Sequence, residues 1–514
     1  MQSLASGVTK LRNMLLAIMF TTSFAAAAYA DDVDSRVTIG YSISIAPAWF
    51  DPADTPGIVT PFLVIYALHD SVLKGMPAGP FTPSLAEQYS ATEDGLSYEF
   101  VLRASAKFHN GEPVAAEDVR FSFERYRGTG QADMKRRVRS VDIAGNHIRF
   151  NLADPWPDFL TFYVSATGAG WVVPKKYVER VGDEGYKKAP IGAGPYKFVS
   201  FTPGVELVLE AFDQYWRKTP NVKRLVFRSI PDESTRFAAL KRGEIDMAGV
   251  GGELAREAQA TPGLTLKVFP VSVVIWLSFP EQWDPKSPWH DERVRRAASL
   301  AIDRKTMNEA LRLGAAHLTG SIFPENFEHY WQPQAPEYDP GKAKQLLAEA
   351  GYPKGFDAGE YYCDASIADI GEAVVNNLQE AGIRARLRPL ERAAFFRGYA
   401  EKKFKNIIQG WSGAPGNVAT RLQAFVAGGG TYAYGSYPDL DALYNRQATE
   451  IDRNRRAAIL AEIQKSIHER AMFAPIWQLA GVNAIGPRIA ESGFGLIPGF
   501  PGSAPYEDIT LKSR

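Results

Sequence analysis

The sequence predicts an α/β protein of two or three domains. Runs that alternate apolar and polar residues with the period of a strand are interleaved, along most of the chain, with capped segments of helix-favouring residues. The chain has 514 residues, more than one ordinary hydrophobic core can organise. No self-similar unit of roughly 20–50 residues recurs, which argues against solenoids and propellers.

The elements follow in chain order. Tyr98, Phe100 and Leu102 alternate with Glu99 and Arg103, the pattern of a half-buried strand. Val141–Ile143 and Ile148–Leu152 flank Gly145-Asn146 and predict a hairpin. Glu117-Asp118 suits a helix first turn, where acids complement the dipole; Val119, Phe121 and Phe123 are its expected apolar face. Leu207–Leu209 and Leu225–Phe227 read as strands either side of Pro220-Asn221. Val294, Ala297, Ala298 and Ala301 mark one helix face, and Asp303 caps a following helix carrying Met307, Ala310 and Leu311. Asp339-Pro340 opens a helix over Lys342–Ala350 that Gly351 ends, with Pro353 beyond. A further helix runs from Gly371 to Ala381, and strands follow at Ile383–Leu387 and Asn406–Trp411.

Residues 1–30 have the three-part pattern of a secretory signal peptide. Lys10 and Arg12 precede an apolar run from Met14 to Ala28, and Ala28-Tyr29-Ala30 is a small-x-small cleavage site. The apolar run falls short of the roughly 20 residues that span a bilayer, so cleavage and export to the periplasm are expected. No cysteine stands at the cleavage site to carry a lipid. The expected mature chain of 484 residues (514 minus 30) has 56 Lys+Arg and 58 Asp+Glu, a net charge of −2. That balance gives no basic surface for nucleic acid. Cys363 is the sole cysteine, so no internal disulfide forms and stability rests on the core.

Catalytic and cofactor signals are poor. The seven histidines are scattered, without the paired spacing of a metal site. Gly192-Ala193-Gly194 and Gly249-Val250-Gly251 begin like dinucleotide loops, but Lys197 and Leu254 occupy the third glycine position. Gly410-Trp411-Ser412-Gly413-Ala414 nearly matches a nucleophile elbow. Pro415-Gly416 delays the helix that should follow, and His468 is the one downstream histidine to serve as base. An exported serine hydrolase is therefore a distant alternative.

Six blocks carry a stronger pattern, in order along the chain: Pro83–Arg125, Pro190–Phe201 (PIGAGPYKFVSF), Val205–Trp216, Arg236–Met247 (RFAALKRGEIDM), Asp291–Leu311 and Tyr338–Pro353. Together they resemble the peptide/nickel/opine class (solute-binding protein family 5, dipeptide- and oligopeptide-binding-like) of ABC-importer substrate-binding proteins. The resemblance implies a two-lobe, type II-like periplasmic-binding-protein fold with an extra subdomain in lobe I. Mapped here, lobe I would span 31–275 plus 482–514, with the subdomain at about 71–189, and lobe II would span 276–481. The implied role is capture of a peptide or peptide-like solute and delivery to an ABC permease and ATPase complex. The implied protein is a monomer, with no covalent chemistry, cofactor or metal.

In peptide-binding relatives the segment matching Gly410–Asn417 lines the cleft, so Trp411, Ser412, Gly413, Ala414 and Asn417 are implied ligand contacts. Many such binders have an aspartate where this chain has Ala414, and dipeptide binders use an arginine within the stretch matching Tyr361–Ser366, which has none here. Asp364 is a candidate substitute acid, or else a solvated loop carboxylate. Trp411, Tyr432, Tyr434 and Trp276 would suit stacking on flat or apolar ligand faces, or ordinary core packing. A non-peptide organic solute, opine-like or glycosidic, and a nickel chelate remain the alternatives.

Overall fold

The computed structural model describes residues 35–513 apart from 55–59, 129, 498, 501 and 504. The expected signal peptide lies outside these residues. No helix among the described residues is long and apolar enough to cross a membrane.

One eleven-stranded sheet runs through the molecule. Its centre is an antiparallel pair of long strands, Thr265–Ser278 and Phe473–Ile485. Beyond Phe473–Ile485 come Met247–Gly249, Arg36–Tyr41, Arg224–Ser229, Glu206–Ala211 and Tyr196–Thr202. Beyond Thr265–Ser278 come Ile407–Ser412, Phe356–Asp364 and Ile383–Leu390. The long pair is in register from Thr265↔Ile485 to Pro270↔Ala480, breaks, and resumes at Val274↔Gln478. Its two ends serve different cores. On one side Val37, Ile39, Leu207, Leu225 and Phe227 pack with Tyr506 and Ile509 near the C-terminus. On the other, Ile275 and Leu277 pack with Val294, Val374, Ile407 and Trp477.

A separate four-stranded antiparallel sheet, in the order Ala86–Ala91, Ser97–Leu102, His147–Leu152, Val138–Ala144, has its own aromatic core around Phe100, Phe150 and Tyr163. Its hairpin turns at Gly145-Asn146, pairing Ile143 with Ile148, and Gly145 takes φ +63° as a tight turn demands.

Several expectations are refined. The helix Ala116–Arg125 buries Ala116, Val119, Ser122 and Phe123, a 3–4 spacing. Phe121 falls off that face and packs on a smaller cluster with Val173, Val178 and Tyr186. In Arg304–Arg312, Met307 and Asn308 face inward while Ala310 is exposed. Asp303 and Asp339 act as N-caps, accepting from Thr306 N at 3.0 Å and Lys342 N at 2.8 Å. The helix read from Gly371 begins earlier, at Ala368.

Candidate functional site

Ile407–Ser412 ends beside the register break, where Ser412 pairs with Val274. The chain then turns through Gly413–Gly416 into the helix Val418–Phe425. Asn417 caps it: its Oδ1 accepts from Thr420 N at 3.1 Å, and its own N–H donates to Thr420 Oγ1 at 3.1 Å. The glycines here serve packing. A Cβ at Gly410 would lie 2.7 Å from Trp276 Nε1, one at Gly413 2.8 Å from Val273, and one at Gly416 (φ +147°) 2.3 Å from Thr420 Oγ1.

Pro415, Gly416 and Asn417 line a cavity of about 660 Å³. Its walls come from three places. Phe81, Tyr98 and Leu160 belong to the four-stranded subdomain; Phe327, Ile451 and Arg456 belong to the half of the chain carrying Asn417; Phe500 comes from the C-terminal segment. Sequence reasoning missed the 325–329 and 451–456 wall, which lies in loops and a helix start without a motif. Two of the lining residues donate to the buried Asp158: Asn417 through Nδ2 (2.6 Å) and Arg456 through Nη2 (2.6 Å). Arg453 pairs with Glu328 at 3.2 Å. Burial, with the Asp158 charge second, pushes the Tyr98 hydroxyl up to about 12; it donates to the Trp156 carbonyl at 3.1 Å. Burial also pulls the His329 imidazole below its usual range, against the opposing pull of Glu328.

The other expected contacts scatter. Trp276 is 0 % exposed, donates to Ser278 Oγ at 3.0 Å and meets Phe425 edge-on at 5.0 Å, as a core residue. Tyr432 stacks on Phe425 at 4.9 Å, and the Tyr434 hydroxyl accepts from Phe404 N at 3.2 Å. Both tyrosines are half-buried in the same aromatic cluster. Trp411 is half-buried, with Phe396 edge-on at 5.2 Å and the Arg392 guanidinium over its ring at 4.6 Å. Its Nε1 is buried and finds no partner among the described residues. Ser412 Oγ accepts from Ala414 N at 3.3 Å. His468 packs on Trp331 instead, at 5.9 Å.

Asp364 is not a solvated loop carboxylate. It ends the strand Phe356–Asp364, is 1 % exposed, and accepts from Ser366 N at 2.9 Å through Oδ1. Its Oδ2 is buried without a hydrogen-bond partner among the described residues. Neither glycine pair is a phosphate loop. A Cβ at Gly192 would stand 1.9 Å from the Leu68 carbonyl oxygen, so that glycine marks close chain packing. Gly251 N donates to the Glu233 carboxylate at 2.6 Å, which puts negative charge where a phosphate would need to sit.

The model of "Bacterial extracellular solute-binding proteins, family 5 Middle" matches residues 80–433. The chain is 27% identical to the Heme-binding protein A of Haemophilus influenzae over 80% of this chain and 82% of that protein. It is 26% identical to the Dipeptide-binding protein of Escherichia coli K12 over 76% of this chain and 79% of that protein. Among solved structures, an ABC transporter substrate-binding protein from Listeria monocytogenes superimposes with a TM-score of 0.80 at 22% identity, covering 93% of this chain and 99% of that one. With a family model spanning more than half its length and a matching fold, the chain belongs to the family 5 bacterial extracellular solute-binding proteins.

Proposed function

We propose that this chain is a periplasmic receptor that encloses a peptide or peptide-like solute in the 660 Å³ cavity and presents it, as a monomer, to an ABC permease and ATPase complex. One observation carries the reading: of the segment Gly410–Asn417 that is implied to line the ligand cleft, Pro415, Gly416 and Asn417 line the 660 Å³ cavity. The volume lies within the roughly 300–1,000 Å³ range of small-molecule sites. The two long strands serve as the hinge. In this reading lobe I spans 31–275 plus 482–514, with its subdomain at about 71–189, and lobe II spans 276–481; the register break between Pro270 and Val274, close to the first crossing, supports it. Hinge closure about such a crossing traps a ligand between lobes.

A second reading, a non-peptide organic solute or a nickel chelate, is favoured by a specific observation. Ala414 replaces the acid that would pair a ligand ammonium, and Tyr361–Ser366 offers no arginine for a ligand carboxylate. A charge enclosed without a partner is costly. Native mass spectrometry of protein purified from the periplasm separates the readings by the mass of the retained solute. Recovery of the protein from the cytoplasm with its N-terminal 30 residues intact would count against the receptor role.

A further inference from the structure

The charged residues on the wall of the 660 Å³ cavity do not balance. Glu93, Glu325 and Glu328 line it against Arg453 and Arg456. Both guanidiniums are already engaged by acids. Arg456 Nη2 meets the buried Asp158 at 2.6 Å, and Arg453 Nη2 meets Glu328 at 3.2 Å. The Glu93 carboxylate has no hydrogen bond or ion pair among the described residues. That of Glu325 meets His317 at 3.4 Å, in a pair where both side chains are exposed. Arg421 adds no free cation to the wall: it lies behind Phe327, 5.3 Å from the ring, and donates to the carbonyl oxygens of Ile322 and Ser412. His329 also lines the cavity, with its side chain 6% exposed. Its ring makes no hydrogen bond among the described residues; the nearest carboxylate oxygen, Glu328 Oε1, is 3.7 Å away. Its backbone takes φ +66°, a region that a residue with a Cβ enters at a cost. Burial pulls the imidazole below its usual range, so the ring brings no positive charge at neutral pH.

We infer that this cavity selects a cationic organic solute, with Glu93 and Glu325 answering its positive charge, the His329 ring offering it a hydrogen bond, and the rings of Phe81, Tyr98 and Phe500 covering its apolar body. The inference rests on the receptor reading and names the charge class of the solute. Its basis is complementarity. A cleft lined by one sign of charge concentrates the opposite sign. Aromatic rings attract a cation further through their negative faces. An anionic group here would find both arginines occupied and two carboxylates repelling it. Glu93 comes from the turn between Ala86–Ala91 and Ser97–Leu102, and Glu325 from the 325–329 wall, so the two acids reach the cavity from separate parts of the chain.

Calorimetry with probes matched in size but not in charge tests this. One set is end-blocked tripeptides with a central lysine, norleucine or glutamate; the other is a phenylalkyl ammonium, alcohol and carboxylate. The cation of at least one set should bind about tenfold more tightly than its neutral counterpart, and the acid should bind least. Added salt should weaken the cation and leave the neutral probe unchanged. Glu93→Gln with Glu325→Gln should erase about tenfold of the cation's affinity, as two exposed ion pairs give together, and leave the neutral probe unchanged. The single variants answer the question if circular dichroism shows that the double variant misfolds. Neutral or acidic probes that bind as well as the cations would overturn the inference, as would a folded double variant with wild-type affinity for the cation, or a chain that binds no probe. The two readings fail separately: a tight neutral or acidic solute removes the charge class and leaves the receptor, whereas a chain that binds no probe and retains no solute in native mass spectrometry counts against both.

Discussion

Gly410 lies directly against the indole of Trp276: a Cβ added to the glycine would come within 2.7 Å of Nε1 and 2.9 Å of Cε2. The two residues are register partners on adjacent strands. The indole is held from the other side by Phe425 and by its bond to Ser278. The motif that resembles a nucleophile elbow begins with this glycine because the tryptophan leaves no room for a side chain.

Gly410→Ala should therefore destabilise the protein by about 1–3 kcal/mol, the usual range for overpacking a filled core. Urea denaturation measures it. Trp276→Phe in the same chain should recover part of the loss, because the smaller ring vacates the contested volume.

Trp411→Ala should cost stability by about 2–4 kcal/mol, near the range for truncating a packed aromatic, because Phe396 and Arg392 lose their partner. Trp411→Phe should recover much of the packing, since Nε1 makes no hydrogen bond among the described residues that a phenyl ring would forfeit. Thermal denaturation of the two variants decides the point. Calorimetry with the solute that native mass spectrometry identifies tells whether the ring also contributes to affinity.

Cys363 should be inert in the folded protein. It is 0 % exposed, and burial together with the neighbouring Asp364 charge pushes its thiol up to about 12. The thiolate, the reactive form, is then scarce at neutral pH. A chromogenic thiol reagent at pH 8 should register no reaction until denaturant is added, and then one equivalent.

Acid should weaken the fold through His69. Its ring is 0 % exposed, Nε2 donates to the Phe50 carbonyl at 2.9 Å, and burial pulls its pKa down to about 4. The unfolded chain binds the proton near pH 6.5. The stabilisation is thus full above pH 6.5 and is lost as pH falls to about 4, a total of about 3 kcal/mol. NMR titration of the His69 ring, alongside urea midpoints at pH 7 and 4.5, measures both sides of the linkage.

Simple zwitterionic dipeptides should bind weakly, since both their charges need partners once water is excluded. A thermal-shift panel checks this. Ala414→Asp should improve binding of ligands with a free ammonium group.

The sequence by itself determined the local elements and the family. Alternation placed the strands around Phe100, Phe150, Leu209 and Leu225 because a pleated strand turns every second side chain inward. Asp303 and Asp339 announced their helices because a cap needs an acceptor one residue before the first turn. The errors were of face: Phe121 and Ala310 sit on helices whose buried stripe is selected by neighbours, not by propensity. The cavity was decided by tertiary structure. Trp276 and Trp411 are alike in sequence context, yet one is sealed in a core and the other half-exposed, because only the stacking of strands and helices above each strand chooses. Glu325–His329, Ile451 and Arg456 carry no pattern, and Asp158 meets Arg456 from 298 residues away. Chain periodicity reports what a residue's own element does with it. Which elements close around a cavity depends on how separate cores pack, and that information is spread over contacts no short window of sequence contains.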